Sequence, residues 1–371
     1  MKHNILHLNS NFFNSSVHNE IVESFNSLEN VEGKVFVPRL KYDNIQKNEK
    51  DYLIQKKCLN LTDKLFLSHR SEKLYKILNK EINFSDFTSI LAHSLFSNGL
   101  LARKICHRTN LNYTVIVTNT DINLYLKYPF MFRKIALDIL LDAEKIFFTA
   151  PFYLSELIDK VVPGKYEQKI RNKTIITPFG INQYWLDNVL KQERKIPTDP
   201  LKILYVGKVN KNKNIKLIVN TLERENKSHL QYRLQIVGYA TDKYGEKFLE
   251  NINKYAWVSY LGKKGKKELL DIYRNADIFV MTSFKESFGL VYGEAMSQGL
   301  PVVYTVKQGF DGHFEEDSIG YAVNPYSSSE LIDVLKIIRM NYSKMSDSAR
   351  NEVNKLSWEN VVQNFMQGIE D

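Results

Sequence analysis

Short apolar runs rich in β-branched and aromatic residues alternate with longer helical patterns along most of the chain, and this alternation constrains the fold more than any other feature. In the first half, residues 4–8 (NILHL), 34–37 (KVFV), 89–93, 113–117 (YTVIV), 145–149 (KIFFT) and 173–176 read as strands. Residues 18–28, a pattern within 62–82, 100–108 and 132–143 read as the helices between them. In the second half, strands are expected at 201–206 (LKILYV), 232–237 (YRLQIV), 258–261, 278–282 and 301–305. Helices are expected at 215–222, 268–275, 290–298 and 330–340, with a last one over 358–369 capped by Ser357. Strands separated by helices imply parallel sheets covered on both faces. The pattern therefore predicts an α/β chain of two doubly wound, Rossmann-like domains, 1–180 and 201–355, facing a central cleft. The final helix, about 356–371, is expected to pack back onto the first domain. Between them the alternation breaks at Pro178, Gly180, Pro197 and Pro200, which places a linker at 181–200. With 371 residues, each half is long enough to bury its own core.

Composition narrows the function classes. No apolar run approaches the roughly 18 residues of a membrane-spanning helix. The opening MKHNILHLNSN has too short and broken an apolar stretch for a signal peptide, so a cytoplasmic protein is expected. Cys58 and Cys106 stand apart from any metal-ligand spacing and read as reduced thiols. The net charge of +9 is uneven: residues 1–180 hold 25 Lys+Arg against 18 Asp+Glu, and 181–371 hold 26 against 24. A basic first half suits a peripheral contact with anionic membrane or a phosphorylated acceptor, and reads equally as a solvated lysine-rich surface. No compact basic run with interleaved aromatics marks a nucleic-acid module.

Ligands of doubly wound sheets bind beyond the carboxyl ends of the strands, so chemistry is expected in the loops after residues 206, 237, 282 and 305. The loop after Thr282 reads SFKESFGLVYGE, with Glu286 before a helix and Glu294 inside it. Ser287, Phe288, Gly289 and Leu290 form the turn into that helix, where free N–H groups and the helix dipole seat a phosphate. A carboxylate within the helix can accept hydrogen bonds from ribose hydroxyls, and one just before it can reach a sugar.

ESFGLVYGE followed by AMSQGLPVV resembles the E-x7-E signature of the family 4 glycosyltransferases. ILYVG with the following K-V-x-x-x-K-N resembles that family's G-R-L-x-x-x-K-G donor loop, and LQIVG, VSYLG, LLDIYRNAD and IFVMTS follow in the family's order. The resemblance covers residues 201–340 and extends more weakly over the first half. It implies the GT-B fold, with a nucleotide-sugar donor bound by the C-terminal domain. Lys208 stands for the usual arginine and Lys213 for the usual lysine on the donor diphosphate; lysine keeps the charge but not the bidentate fork. Glu294 matches the ribose-binding glutamate and Glu286 the glutamate facing the transferred sugar. Gly207 and Gly238 close the donor-side strands, and Val258 and Leu261 lie near the base pocket. Asn214 replaces the usual glycine of the donor loop. Asp311, in the place of a Gly-Gly-x-x-Glu loop, is a candidate acceptor for a sugar hydroxyl.

The first half departs further from the pattern. The loop after its first strand holds Ser15 and Ser16 where the family has glycines, and Thr118 stands where it has a histidine. Asp121 and His93 remain as candidates on the acceptor side. His93 reads equally as a structural histidine, and Asp121 equally as a turn or cap residue.

The resemblance implies retaining transfer of a hexose-type sugar, a UDP-sugar being favoured, to a glycan or lipid-linked hydroxyl in cell-surface polysaccharide synthesis. No D-x-D pair occurs in the donor half, so no essential metal and no other cofactor are expected. A non-catalytic nucleotide-sugar-binding subunit is the competing reading. A nicotinamide dehydrogenase would need G-x-G-x-x-G after a strand, which is absent.

Overall fold

The computed structural model describes residues 2–14, 16–43, 50–64, 66–125 and 130–370. The chain divides into two compact units, Met1–Gly180 with Trp358–Asp371, and Ile181–Ser357. The first unit holds strands β1 (His3–Leu8), β2 (Val31–Leu40), β3 (Leu53–Leu59), β4 (Ser89–Ala92), β5 (Asn112–Val117), β6 (Lys145–Phe148) and β7 (Thr174–Ile176). The second holds β8 (Leu201–Val209), β9 (Tyr232–Ala240), β10 (Val258–Gly262), β11 (Ile278–Val280), β12 (Val302–Thr305) and β13 (Gly320–Val323). The sheet orders are β3-β2-β1-β4-β5-β6-β7 and β10-β9-β8-β11-β12-β13. Each strand pair described is parallel. Both orders reverse direction once, between β1 and β4 and between β8 and β11, and such a switch point opens a crevice at the carboxyl ends of the strands.

Strand alternation feeds two helical layers in the first unit. Leu6, Leu8, Phe36, Tyr113, Val115, Val117, Ile146 and Phe148 enter one cluster with Leu74, Leu78, Leu101 and Ile139. The intervening Ile5, Val35, Val37, Ile116 and Phe147 enter the other, with Ile21, Val22 and Phe25. The C-terminal helix Trp358–Glu370 adds Val361, Val362, Phe365 and Met366 to this second layer. Burying those four side chains contributes on the order of 6–12 kcal/mol before entropy is counted. Phe365 stacks on Phe147 with centroids 3.9 Å apart, and Trp358 Nε1 donates to Glu20 Oε2 at 2.8 Å.

Several elements lay outside the sequence pattern. β3 (LIQKKCL) is an edge strand, half-buried over most of its length, so it carries lysines where a central strand would be apolar. The helices Pro151–Val161, Gly164–Asn172, Lys243–Ile252 and Tyr342–Glu352 and the four-residue β13 were also unread. The stretch 181–200, read as a linker, packs on the second unit. Trp185 is buried edge-on to Tyr273, Leu190 N donates to Ser297 O at 2.9 Å, and Arg194 donates to Gln298 O and Tyr342 Oη, each at 2.9 Å. Apart from the short helix Gln183–Asp187, proline and charge interrupt regular structure here, but one buried tryptophan and one arginine anchor the segment. Both cysteines are free thiols, Cys58 buried and Cys106 partly so. Among the described residues no helix is long and apolar enough to cross a membrane.

Candidate functional site

In the second unit the residues singled out by sequence collect around the β8–β11 switch point. β8 and β9 run three residues beyond their expected ends, pairing Gly207 with Gly238 in register. At Gly238, φ is +145° and a Cβ would meet the Gly207 carbonyl oxygen at 1.8 Å. Any other residue would push the two strands apart, so these glycines act first on the sheet. The extension places Lys208 on β8 itself, exposed, with no side-chain hydrogen bond or ion pair among the described residues.

The loop after β8 is a single 3-10 turn, Lys211–Lys213, with the Asn210 side chain accepting from Lys213 N at 3.2 Å. Asn214 follows in the left-handed region at φ 51°, ψ 33°. Asparagine tolerates that conformation far better than most side chains, so it reproduces the backbone glycine would give. It also adds what glycine lacks: Nδ2 donates to Thr282 O at 3.2 Å and Pro325 O at 2.7 Å. Asn212 ties this turn to the loop after β11. Its Nδ2 donates to Lys285 O at 2.9 Å, Lys285 N donates to its Oδ1 at 3.1 Å, and Phe284 N donates to its carbonyl at 2.8 Å.

That clamp sets Lys213 beside Glu286, with Nζ to Oε2 at 2.5 Å and side chains 17% and 12% exposed. Ser283 Oγ donates to the same oxygen at 3.3 Å, and Ser287 N to Oε1 at 3.2 Å. The Glu286 backbone is held by the loop after β12: its N–H donates to Gln308 Oε1 at 3.0 Å and its carbonyl accepts from Gly309 N at 3.1 Å. A Cβ on Gly309 would lie 1.8 Å from Ser287 O, so this close approach needs glycine. Asp311, in the same loop, accepts from Lys307 N at 2.7 Å, and burial pushes its carboxyl above the usual range.

Gly289 begins the helix Leu290–Ser297 at φ 86°, and a Cβ there would strike the Tyr292 ring at 2.5 Å. The Phe288 ring is buried against Phe310 and His313. Within the helix, Glu294 accepts from Tyr273 Oη at 3.0 Å. Burial, then the Glu294 charge, holds the Tyr273 phenol protonated well above its ordinary pKa, so it remains a donor that orients the carboxylate. Tyr205 and Tyr292 are raised by burial first and by the Glu286 charge second. Val258 and Leu261 stand half-buried on the edge strand β10, one strand beyond Gly238, whose carbonyl accepts from Tyr260 Oη at 3.1 Å.

At the first unit's switch point lie His93 and Asp121. His93 is 4% exposed, and its Nε2 lies 3.0 Å from His7 Nδ1. Burial lowers the pKa of His7 to about 3 and of His18 to about 4, and holds His93 well below its ordinary value. All three are neutral near pH 7. Asp121 is 1% exposed and faces inward: Oδ1 accepts from Leu95 N at 3.1 Å, and Oδ2 from Thr118 N at 3.0 Å and Thr118 Oγ1 at 3.1 Å. Burial raises its pKa to about 6. These two residues, read as shaping the acceptor side, build the wall of the loops after β4 and β5 and do not project into solvent. Ser15 lies outside the described residues.

Asn212, Gln308, Tyr273 and His7 escaped the sequence reading. Each acts on a partner far along the chain, and only the asparagine-rich run Asn210–Asn214 offered a local hint. Among the described residues no group of three or more His, Cys, Asp or Glu side chains is placed to hold a metal ion.

The arrangement combines one uncommitted lysine, a lysine–glutamate pair, a helix amino end and a second, oriented glutamate on one crevice. Residues 187–353 match the family model described as glycosyl transferases group 1. An alpha-monoglucosyldiacylglycerol synthase from Acholeplasma laidlawii is 29% identical over 208 residues, covering 52% of this chain and 52% of that protein. The lipopolysaccharide outer core galactosyltransferase WaaB superposes with a TM-score of 0.75 at 14% identity, covering 100% of this chain and 99% of that one. HepE from Anabaena, solved with UDP, superposes with a TM-score of 0.69 at 13% identity, each chain covered in full at 100%. The chain has the GT-B fold shared by these solved glycosyltransferases, and within its second unit residues 187–353 are similar to the group 1 glycosyl transferases.

Proposed function

We propose that the protein is a retaining hexosyltransferase that binds a nucleotide-diphosphate sugar, a UDP-sugar by preference, at the β8–β11 crevice. The sugar passes to a hydroxyl of a glycan or lipid-linked acceptor in cell-surface polysaccharide synthesis. The observation that carries this reading is the Lys213–Glu286 pair held by Asn212 and Gln308 beside the amino end of the Glu294 helix. A UDP complex of a protein with the same fold and a glycolipid synthase name on a 29% identical relative support the donor and acceptor classes.

As the sugar–phosphate bond breaks, negative charge grows on the leaving diphosphate and positive charge on the sugar. Lys208 and Lys213 and the helix amino end stabilise the first. Lys213 then moves from a carboxylate partner to a phosphate partner, so its charge stays compensated throughout. Glu286, released from Lys213 by that exchange and still held by Ser283 and Ser287, orients the transferred sugar, and Glu294 takes the ribose hydroxyls, aligned by Tyr273. His93 and Asp121 shape the acceptor side indirectly, by fixing the loops after β4 and β5. The chemistry assigned to these residues needs no metal, and the protein acts at the inner face of the membrane as a peripheral enzyme.

The test is transfer or donor hydrolysis by the purified chain in EDTA, with the product anomer read by NMR before it mutarotates. Product of retained configuration is expected. Inverted product contradicts retention, and activity lost in EDTA and restored by manganese contradicts the metal-free mechanism. Nucleotide binding without any turnover favours the non-catalytic subunit.

A further inference from the structure

The loop after β1 carries a cluster that the transfer reading leaves unused. Asn9 and Asn98 are buried, at 0% and 2% exposure, and the Nδ2 group of each is buried with no hydrogen-bond partner among the described residues. Their orientation is fixed by backbone donors, which removes the usual ambiguity between amide oxygen and nitrogen. Asn98 Oδ1 accepts from Ser10 N at 3.2 Å and from Ser10 Oγ at 2.8 Å, and Asn9 Oδ1 accepts from Asn11 N at 3.0 Å. The NH2 groups are therefore the atoms left over, and they flank adjacent residues of one loop. Buried donors without acceptors are costly and mark a missing partner.

The sign of that partner follows from the neighbours. Arg70, 7% exposed, donates from Nη2 to Ser10 Oγ at 2.9 Å, bringing a guanidinium to the same hydroxyl. Asn98 also precedes the helix Gly99–Cys106, whose amino end adds positive potential. Asp121, which accepts from Leu95 N in the loop that carries Asn98, has both oxygens committed, to Leu95 and Thr118, and Asp63 is paired with Lys73. Ser10 is half-buried and Asn11 exposed, so the donors lie one layer beneath the surface. A water molecule would also have to place its own protons among these donors, whereas a tetrahedral oxyanion brings acceptors only.

We propose that the amides of Asn9 and Asn98 and the Arg70 guanidinium, held in place by Ser10, form a binding site for a phosphate group on the first unit. That the phosphate belongs to the acceptor, as a phosphorylated sugar or a phospholipid headgroup, rests on the transfer reading; the site itself does not.

The full chain carrying Lys213→Ala, which removes a phosphate contact of the second unit, is titrated by calorimetry with inorganic phosphate. It is then titrated with phosphatidylcholine vesicles containing or lacking phosphatidic acid. Phosphate is expected to bind, and Asn98→Asp in the same background is expected to weaken it at least about tenfold. That change keeps the oxygen serving Ser10 and replaces the NH2 donor with a repelling carboxylate oxygen. Arg70→Gln is expected to weaken binding similarly, with partial recovery in Arg70→Lys. Selective binding to phosphatidic acid vesicles, lost in Asn98→Asp, assigns a lipid source; binding of free phosphate alone assigns a soluble phosphorylated acceptor. No phosphate or vesicle binding in the Lys213→Ala chain, or binding unchanged by Asn98→Asp, overturns the site. UDP-glucose titrated into the unmutated chain reports separately on the donor reading. If phosphate binds as described and UDP-glucose does not, the transfer function falls and the site stands.

Discussion

The two units share a strand order and therefore a crevice, yet they fill it with opposite chemistry. At the β8–β11 switch the charged side chains are paired and partly exposed, as in Lys213 and Glu286. At the β1–β4 switch the titratable groups are buried and turned inward: His7 against His93, Asp121 against backbone N–H groups. The sheets fix where a ligand can sit, and the loop residues decide whether charge is offered there or locked away.

The largest contrast is expected in activity. Lys213→Ala should lower transfer by about 10²–10³-fold, the usual loss for one preorganised group facing developing charge. His93→Gln, at the corresponding place in the first unit, should act mainly on stability. Comparable losses of kcat in the two variants, at equal folded fraction, would erase the distinction.

Gly238→Ala comes next, through stability. The new Cβ would sit 1.8 Å from Gly207 O, so strand separation should cost more than about 3 kcal/mol, read as a drop in Tm or in soluble yield. A neutral Gly238→Ala would mean that β8 and β9 can part freely.

Acid should separate the units further. His7, His18 and His93 have folded pKa values below the ordinary 6.5, so the unfolded chain takes up protons first as pH falls. Their contribution is complete above about pH 6.5 and drains away as pH falls toward 4. Asp121, raised to about 6, works the other way and withdraws stability as pH rises from about 4 to 6. Three histidines outweigh one carboxyl, so urea midpoints should fall between pH 7 and 4.5. Signals of the first unit should be lost before those of the second. A flat profile, or first loss in the second unit, contradicts this.

The smallest effect is expected at Asn214. Asn214→Gly keeps the left-handed backbone but deprives Thr282 O and Pro325 O of their donor, costing about 1–2 kcal/mol. Asn214→Ala should cost more, because alanine must also hold φ 51°. Equal stability of the two variants would show that the backbone conformation is not what asparagine supplies.

Much of the fold was legible because buried parallel strands are written as unbroken apolar runs. The edge strand β3 was not, since it is half-buried over most of its length and admits Lys56 on one face and Lys57 on the other. The strand ends were missed because glycines usually stop a strand, whereas Gly207 and Gly238 sit opposite each other and let it continue. At the site, Glu286 and Glu294 were visible from their spacing within one segment, and Lys208 and Lys213 from the resemblance of the loop after β8 to the family's donor loop. The groups that hold them were not: Asn212 reaches across to Lys285, Gln308 to Glu286 and Tyr273 to Glu294, and no local pattern encodes a partner twenty or more residues away. In the first unit His93 and Asp121 were visible too, but their burial was not, because it depends on His7 and on backbone groups of other loops.

The most direct measurement is calorimetric titration of UDP-glucose and other nucleotide sugars into the full chain and into Glu294→Ala. Binding by the native chain, weakened at least about tenfold when the Tyr273-oriented carboxylate is removed, is the predicted result. No binding of any nucleotide sugar by the native chain, or equal binding by Glu294→Ala, would contradict a donor site at the β8–β11 crevice.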